Sequence, residues 1–270
     1  MTKRCMFPLS VSLHGLVGVL SSMFADTVPC PPLMFSVRHE YSCLWSLRLD
    51  SDIRSEFFMH IYNPQEYPNL LQAILLTSEE IKNSVSTDKL IFLRERNKEV
   101  EWGIKLPMFV DAFYDYIVKT QTIPNQKDFF DYYLLYNKDF FMNLNRPDLD
   151  SGITARVFRT YPSLVRDIYF NKYIEEQLGR KCQIIYNTRL DIEEGIDLMV
   201  ITQRGNYGIC FFTNTYRALT GRKAKEHRHI QFSNVKYVEM PLAFKGSVEA
   251  GDFFLYGEKE YNELYKTLNK

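Results

Sequence analysis

One residue able to do chemistry stands where none is expected. Asp197 interrupts the run Ile196, Leu198, Met199, Val200, Ile201, which a strand should keep wholly apolar. A carboxylate on a buried strand costs several kcal/mol unless something compensates it. A second polar line points toward it. On the helix predicted from about Leu164 to Leu178, Asp167, Asn171 and Glu175 recur every four residues, in the same sector as Leu164, Ile168 and Ile174. Consecutive elements usually pack together, so helix and hairpin would enclose a shared polar pocket beneath the sheet. Carboxylates at the splayed end of a sheet can hold Mg²⁺ (or Mn²⁺). Such a hard cation keeps several waters and can activate one of them against a phosphodiester. Two other readings stay open: the helix line reaches water at the margin of the sheet, or Asp197 starts the strand and accepts backbone N–H bonds in the EEGID turn.

Cations gather further on. GRKAKEHRH, from Gly221 to His229, follows Arg217 and holds Arg222, Lys223, Lys225 and Arg228. Such a segment would neutralise phosphates and make binding salt-dependent, or it is a solvated face. Arg159 and Arg166 flank TYPS at the start of the predicted helix, where phosphate contacts are favoured. His227 and His229 have no third histidine nearby, and metal binding by that pair alone is not expected. The whole chain of 270 residues balances 33 Lys+Arg against 33 Asp+Glu. From Gly152 to Lys236, however, 14 basic residues face 8 acidic ones, a net +6. That asymmetry suits one half turned toward polyanions.

Other chemistries are scarcely signalled. The chain carries no GxSxG, GxGxxG, GxxxxGK[ST] or HExxH. Its five cysteines form no CxxC pair, which indicates neither a disulfide framework nor a thiolate zinc site. Cys210 has no base beside it in sequence and reads as a buried structural thiol. Residues 5–25 carry no charge after Thr2-Lys3-Arg4, so they read as an extension, with a signal peptide or membrane anchor as the alternative.

The elements that must position these residues follow from periodicity and punctuation. Asn69 to Ser84 reads as a helix, with Thr77 or Ser78 capping its second half. Lys89 to Leu106 reads as a β-hairpin around the charged turn Glu95 to Lys98. Helices follow over 108–121 and 126–141, and NRPDLDSG reads as a linker, with a boundary near Asp150. Beyond it the order is helix (164–178, capped by Tyr161-Pro162-Ser163), strand (182–186), strand (196–202), strand (207–213), basic loop with a short helix, strand (236–244) and terminal helix. This is a mixed α/β arrangement. The expected domains are a hydrophobic N-terminal extension over 1–33, an accessory α+β domain over 34–150 and an α/β domain over 151–270.

GIDLMV followed by YGICFFT, behind a helix bearing Glu and ahead of a basic segment, resembles the core of the PD-(D/E)xK restriction-endonuclease-like nucleases. The resemblance covers roughly Ala155 to Tyr256. It implies an α-β-β-β-α-β core and a Mg²⁺-dependent endodeoxyribonuclease acting on DNA, in a restriction or defence setting. It makes Asp197 the strand carboxylate and Glu175 or Glu176 the helix carboxylate. The second motif departs from the pattern, because Cys210, Phe211 and Phe212 stand where (D/E)xK belongs. Lys223 or Lys225 could restore the missing cation, and Glu175 or Glu194 the missing carboxylate. The catalytic set is then Asp197, Glu175, Lys223 and Lys225; the metal set is Asp197, Glu175 and Glu194; and Arg159, Arg166, Arg217, Arg222 and Arg228 hold DNA. The alternative is an inactive nucleic-acid- or protein-binding module of the same fold. A protein partner or homodimer fits either reading. The expected location is cytoplasmic, with secretion or anchoring as the alternative.

Overall fold

A computed structural model describes residues 61–215 and 231–269. The chain divides into Met1–Phe58 and Met59–Lys270, and every described residue belongs to the second unit. The extension over 1–33, the first part of the predicted accessory domain and the basic segment 216–230 lie outside the described residues.

The helices are α1 (Ser78–Val85), α2 (Phe109–Thr120), α3 (Gln126–Tyr136), α4 (Lys138–Leu144), α5 (Asp150–Leu178) and α6 (Glu258–Leu268). Asn69 to Ser84 is not one helix. A short 3₁₀ turn, Leu70–Ala73, precedes α1, and Thr77 caps α1 with a capping box completed by Glu80. Asn137 splits the helix expected over 126–141 into α3 and α4.

The hairpin expected over 89–106 does not form. Residues 88–97 pair with no strand among the described residues, and side chains from elsewhere satisfy part of their backbone. Gln126 Oε1 accepts from Ile91 N (2.7 Å), Asp252 Oδ2 accepts from Leu90 N (2.9 Å), and Arg159 donates to the carbonyls of Leu93 and Glu95. The second half of the expected hairpin is a short π-helical turn, Glu99–Gly103. Alternating residue types do not show what the backbone hydrogen-bonds to.

NRPDLDSG is not a linker either. A 3₁₀ turn, Pro147–Leu149, leads straight into α5, and Leu149 and Ile153 join the same core cluster as Phe113, Phe129 and Ile168. A Cβ at Gly152 would stand 2.6 Å from Asn97 Cβ. This glycine permits a close approach instead of flexibility. The helix expected to begin at Leu164 in fact runs 29 residues, straight through Pro162. A mid-helix proline costs about 3 kcal/mol, in part because the carbonyl four residues back loses its donor. That carbonyl belongs to Phe158, and the buried Gln126 Nε2 donates to it at 2.9 Å.

Four strands form one mixed sheet in the order β1 (Gln183–Ile185), β2 (Leu198–Thr202), β3 (Gly205–Thr213) and β4 (Val235–Leu242). β1, β2 and β3 are antiparallel neighbours, and β4 runs parallel to β3, with Ile209 opposite Val238. A parallel pair needs a crossover, here carried by residues 214–234. An additional hairpin, β5 (Val248–Ala250) with β6 (Phe253–Leu255), packs on α5 through Phe253 against Tyr161 (centroids 5.9 Å apart). The fold is therefore mixed α/β, and residues 61–149 contribute helices and irregular chain but no strand among those described. Ile184, Leu198, Val200, Ile209 and Phe211 join the α5 core, while Ile185, Met199 and Val235 build a second cluster with Tyr62, Tyr67 and Phe232. No described helix is long and apolar enough to cross a membrane.

Candidate functional site

Asp197 lies one residue ahead of β2, not inside it. Leu198 and Val200 face α5, so strict alternation would turn residue 197 away with Met199. Instead Asp197 lines a small cavity of about 10 Å³ with Asp167 of α5, Asp191, Tyr114 and Tyr186. The shared polar pocket read from the helix line is there, but its membership differs. Asp167 and Asp197 meet in it, and Asp191, from the turn ahead of β2, is a third carboxylate that the sequence reading missed. The six-residue spacing between Asp191 and Asp197 across a glycine turn was the available signal.

Each carboxylate has its own compensation. Asp197 Oδ2 accepts the Phe211 N–H at 2.6 Å, tying the start of β2 to β3. Asp191 Oδ2 accepts from the Tyr186 hydroxyl at 3.1 Å, and the Tyr186 ring stacks on Tyr114 at 4.1 Å. Burial pushes Asp167 up to about 7; the nearby Arg166 opposes that shift and the Asp191 charge adds to it. A proton therefore lowers the negative charge of the cluster in mildly acidic solution. Asn171, fully buried, donates to the Tyr114 hydroxyl (3.2 Å) and approaches the Asp197 carbonyl (3.5 Å), while its Oδ1 has no hydrogen-bond partner among the described residues. The backbone-bonded strand-start reading of Asp197 describes this geometry, with Phe211 as the donor instead of the EEGID turn.

Glu175 is elsewhere. Its carboxylate takes the buried Lys172 Nζ at 2.6 Å, and the same ammonium donates to Ile74 O, fastening residues 70–74 to α5. Glu176 accepts Ser78 N at 2.6 Å and so serves the N-terminus of α1. Glu194 is buried beside the second cluster, within range of Tyr67 and Tyr237, and its Oε2 has no hydrogen-bond partner among the described residues. Burial, then the Glu193 charge, raises its pKa to about 7 against the pull of Arg189.

The metal set therefore does not converge. Asp197, Glu175 and Glu194 occupy three different environments, and no group of three His, Cys, Asp or Glu side chains among the described residues is arranged to hold a metal ion, the three aspartates of the small cavity included. A Mg²⁺ ion demands octahedral oxygens at about 2.0–2.1 Å and several waters, which a cavity of one water's size does not admit. The residues present do not fit that ion.

On β3 the place of a second acidic motif is hydrophobic. Ile209 is fully buried, Cys210 Sγ lies 3.1 Å from Gly195 O, and Phe211 packs edge-on against Phe170 (5.3 Å). Among the predicted DNA-binding arginines, Arg159 is committed to Glu101 and to two carbonyls, and the buried Arg166 donates from Nε to Phe254 O at 3.0 Å. Both hold the fold. Arg217, Arg222, Lys223, Lys225 and Arg228 lie outside the described residues, as do His227 and His229.

Cations without a charged partner among the described residues occur where no site was read. Arg94 and Arg96 are exposed beside α5 and line, with Arg159, a cleft of about 370 Å³. No family model matches the chain, and neither a curated protein nor a solved structure shows significant similarity to it.

Proposed function

We propose that Met59–Lys270 is a nucleic-acid-binding unit whose α/β part resembles the PD-(D/E)xK nucleases in element order, and that it binds without cutting. The observation that carries this reading is the hydrogen bond from Phe211 N to Asp197 Oδ2, with apolar Ile209 and Phe211 flanking it on β3. The carboxylate is occupied by main chain, and the neighbouring strand offers it no acidic or basic companion. Support for the polyanion comes from the net +6 between Gly152 and Lys236 and from Arg94 and Arg96.

The test is direct. Purified full-length protein is mixed with labelled single-stranded and duplex DNA over a range of salt, with Mg²⁺, with Mn²⁺ and with chelator. Salt-dependent binding that leaves the DNA intact under every metal supports the reading. Metal-dependent cleavage that disappears in Asp197→Asn overturns it in favour of an active nuclease.

A further inference from the structure

The cleft between residues 91–96 and α5 combines arginines with apolar side chains. Its eight lining residues include Arg94, Arg96 and Arg159, the apolar Phe92, Phe158 and Pro162, and no carboxylate. Neither Arg94 nor Arg96 has a charged partner among the described residues. The acids around them are used elsewhere: Glu95 accepts Ser151 Oγ at 2.6 Å, Glu99 pairs with Arg146, and Glu101 pairs with Arg159.

Phe92, Arg94 and Arg96 all line the cleft, whereas Glu95 does not and is engaged by Ser151. The Cα atoms of Arg94 and Arg96, two residues apart, can stand at most about 7 Å from each other. Two long cationic side chains at that spacing can reach successive phosphates of one strand. Phe92 is 72% exposed and Ile91 52%, which is costly surface for a segment so firmly held. Gln126 holds Ile91 from both sides, and Arg159 holds the carbonyls of Leu93 and Glu95. The wall is preorganised, so little ordering entropy opposes a ligand.

We infer that this cleft, formed by Phe92, Arg94 and Arg96 against Phe158 and Pro162 of α5, binds single-stranded nucleic acid, seating one base on Phe92 with flanking phosphates on the two arginines. The inference rests on the nucleic-acid-binding reading above and deepens it. A volume near 370 Å³ is at the scale of a small-ligand pocket. Aromatic faces combined with cations are what sequence-tolerant strand binding requires. An acidic peptide would satisfy the arginines but leave the Phe92 face in water, and a duplex keeps its bases inside its own stack.

The experiment uses full-length protein, fluorescein-labelled oligothymidine and a labelled duplex, with anisotropy read across salt. Phe92→Ala is expected to weaken oligothymidine binding about tenfold while changing duplex binding little. Arg94→Ala/Arg96→Ala is expected to reduce the log–log salt slope for the single strand by about 1.4, at roughly 0.7 per lost contact. All three side chains are exposed, so melting temperatures should match the parent and confirm that the variants fold. If the parent binds oligothymidine and these variants bind it equally well, the cleft assignment is wrong while the nucleic-acid reading stands. If the parent binds neither strand form, both fall. Displacement of oligothymidine by polyglutamate at equal charge overturns the nucleotide assignment in favour of an acidic-protein site.

Discussion

Two places along α5 invite a functional reading, and they behave oppositely. At the sheet, Asp167, Asp191 and Asp197 gather three carboxylates in a cavity of about 10 Å³, yet Asp197 and Asp191 accept hydrogen bonds from the chain and Asp167 is held toward its protonated form. Nearer the start of the helix, Arg94 and Arg96 border a far larger cleft and have no charged partner among the described residues. Asp197 looks catalytic in the sequence, yet it and Asp191 are bonded inward. Arg96 looks like part of a charged turn, yet it and Arg94 are exposed at the cleft. Residue type proposes chemistry, but the partners decide whether a group is available for it.

Breaking the inward-facing side should cost stability. The largest effect is expected within the cleft wall itself, where Arg159→Met strips partners from Glu101 and from two carbonyls. About 2–3 kcal/mol of destabilisation should follow, less than for a fully buried pair because both side chains keep some contact with water. Denaturant unfolding checks this; a loss below about 0.5 kcal/mol would mean that Arg159 is a surface cation after all. Asp197→Ala comes next. It leaves the Phe211 N–H without its acceptor and should cost about 1–3 kcal/mol, whereas Asp197→Asn, which keeps an acceptor oxygen, should cost less. Equal melting of parent and Asp197→Ala would remove the structural role assigned to the carboxylate.

A pH series sharpens the same contrast. Asp167 rises from 3.8 to about 7 on folding, so the folded state holds a proton that the unfolded state has lost in that window. Its contribution to stability is complete below pH 3.8 and disappears as pH climbs to about 7. Asp167→Asn should flatten that decline and stabilise the protein at pH 8 by about 1–3 kcal/mol, since a partly exposed carboxyl is screened by water. Glu194, raised from 4.5 to about 7, adds a slope of the same sign that this variant leaves in place. A parent whose melting temperature is flat from pH 4 to pH 7 would contradict both shifts.

The C-terminal half was the legible part. Runs of Val, Ile, Phe and Tyr bounded by Gly and polar turns indicated three strands and a later fourth, and the sheet has that content, with β4 beside β3. The pocket at Asp197 was legible in part: of the three polar residues spaced four apart on the helix, Asp167 lines it and Asn171 approaches Asp197, while Glu175 turns to Lys172. The N-terminal half misled for local reasons. NRPDLDSG carries every sign of a linker, but Gly152 is required by the closeness of Asn97, and Pro162 sits mid-helix because Gln126 replaces the lost donor to Phe158. Both compensations come from residues more than 30 positions away, and no local rule can see them. The apolar–polar alternation over 89–106 misled: residues 99–103 form a short helical turn, and the segment before it is held by the side chains of Gln126, Arg159 and Asp252 instead of a second strand.

The smallest effect belongs on the outward-facing side. Arg94→Ala and Arg96→Ala should each change stability by less than about 0.5 kcal/mol, as expected for an exposed side chain without a partner. A larger loss in either would show that the cleft arginines hold the fold, as Arg159 does, and would erase the contrast between the two regions.

The most direct measurement takes one sample of full-length protein with labelled oligonucleotide, adds Mn²⁺, and reads binding by anisotropy and strand length by gel from the same tube. The account predicts a bound, full-length strand, with affinity falling as salt rises and Asp197→Asn binding like the parent. Shortened products that require the metal and vanish in Asp197→Asn would contradict it.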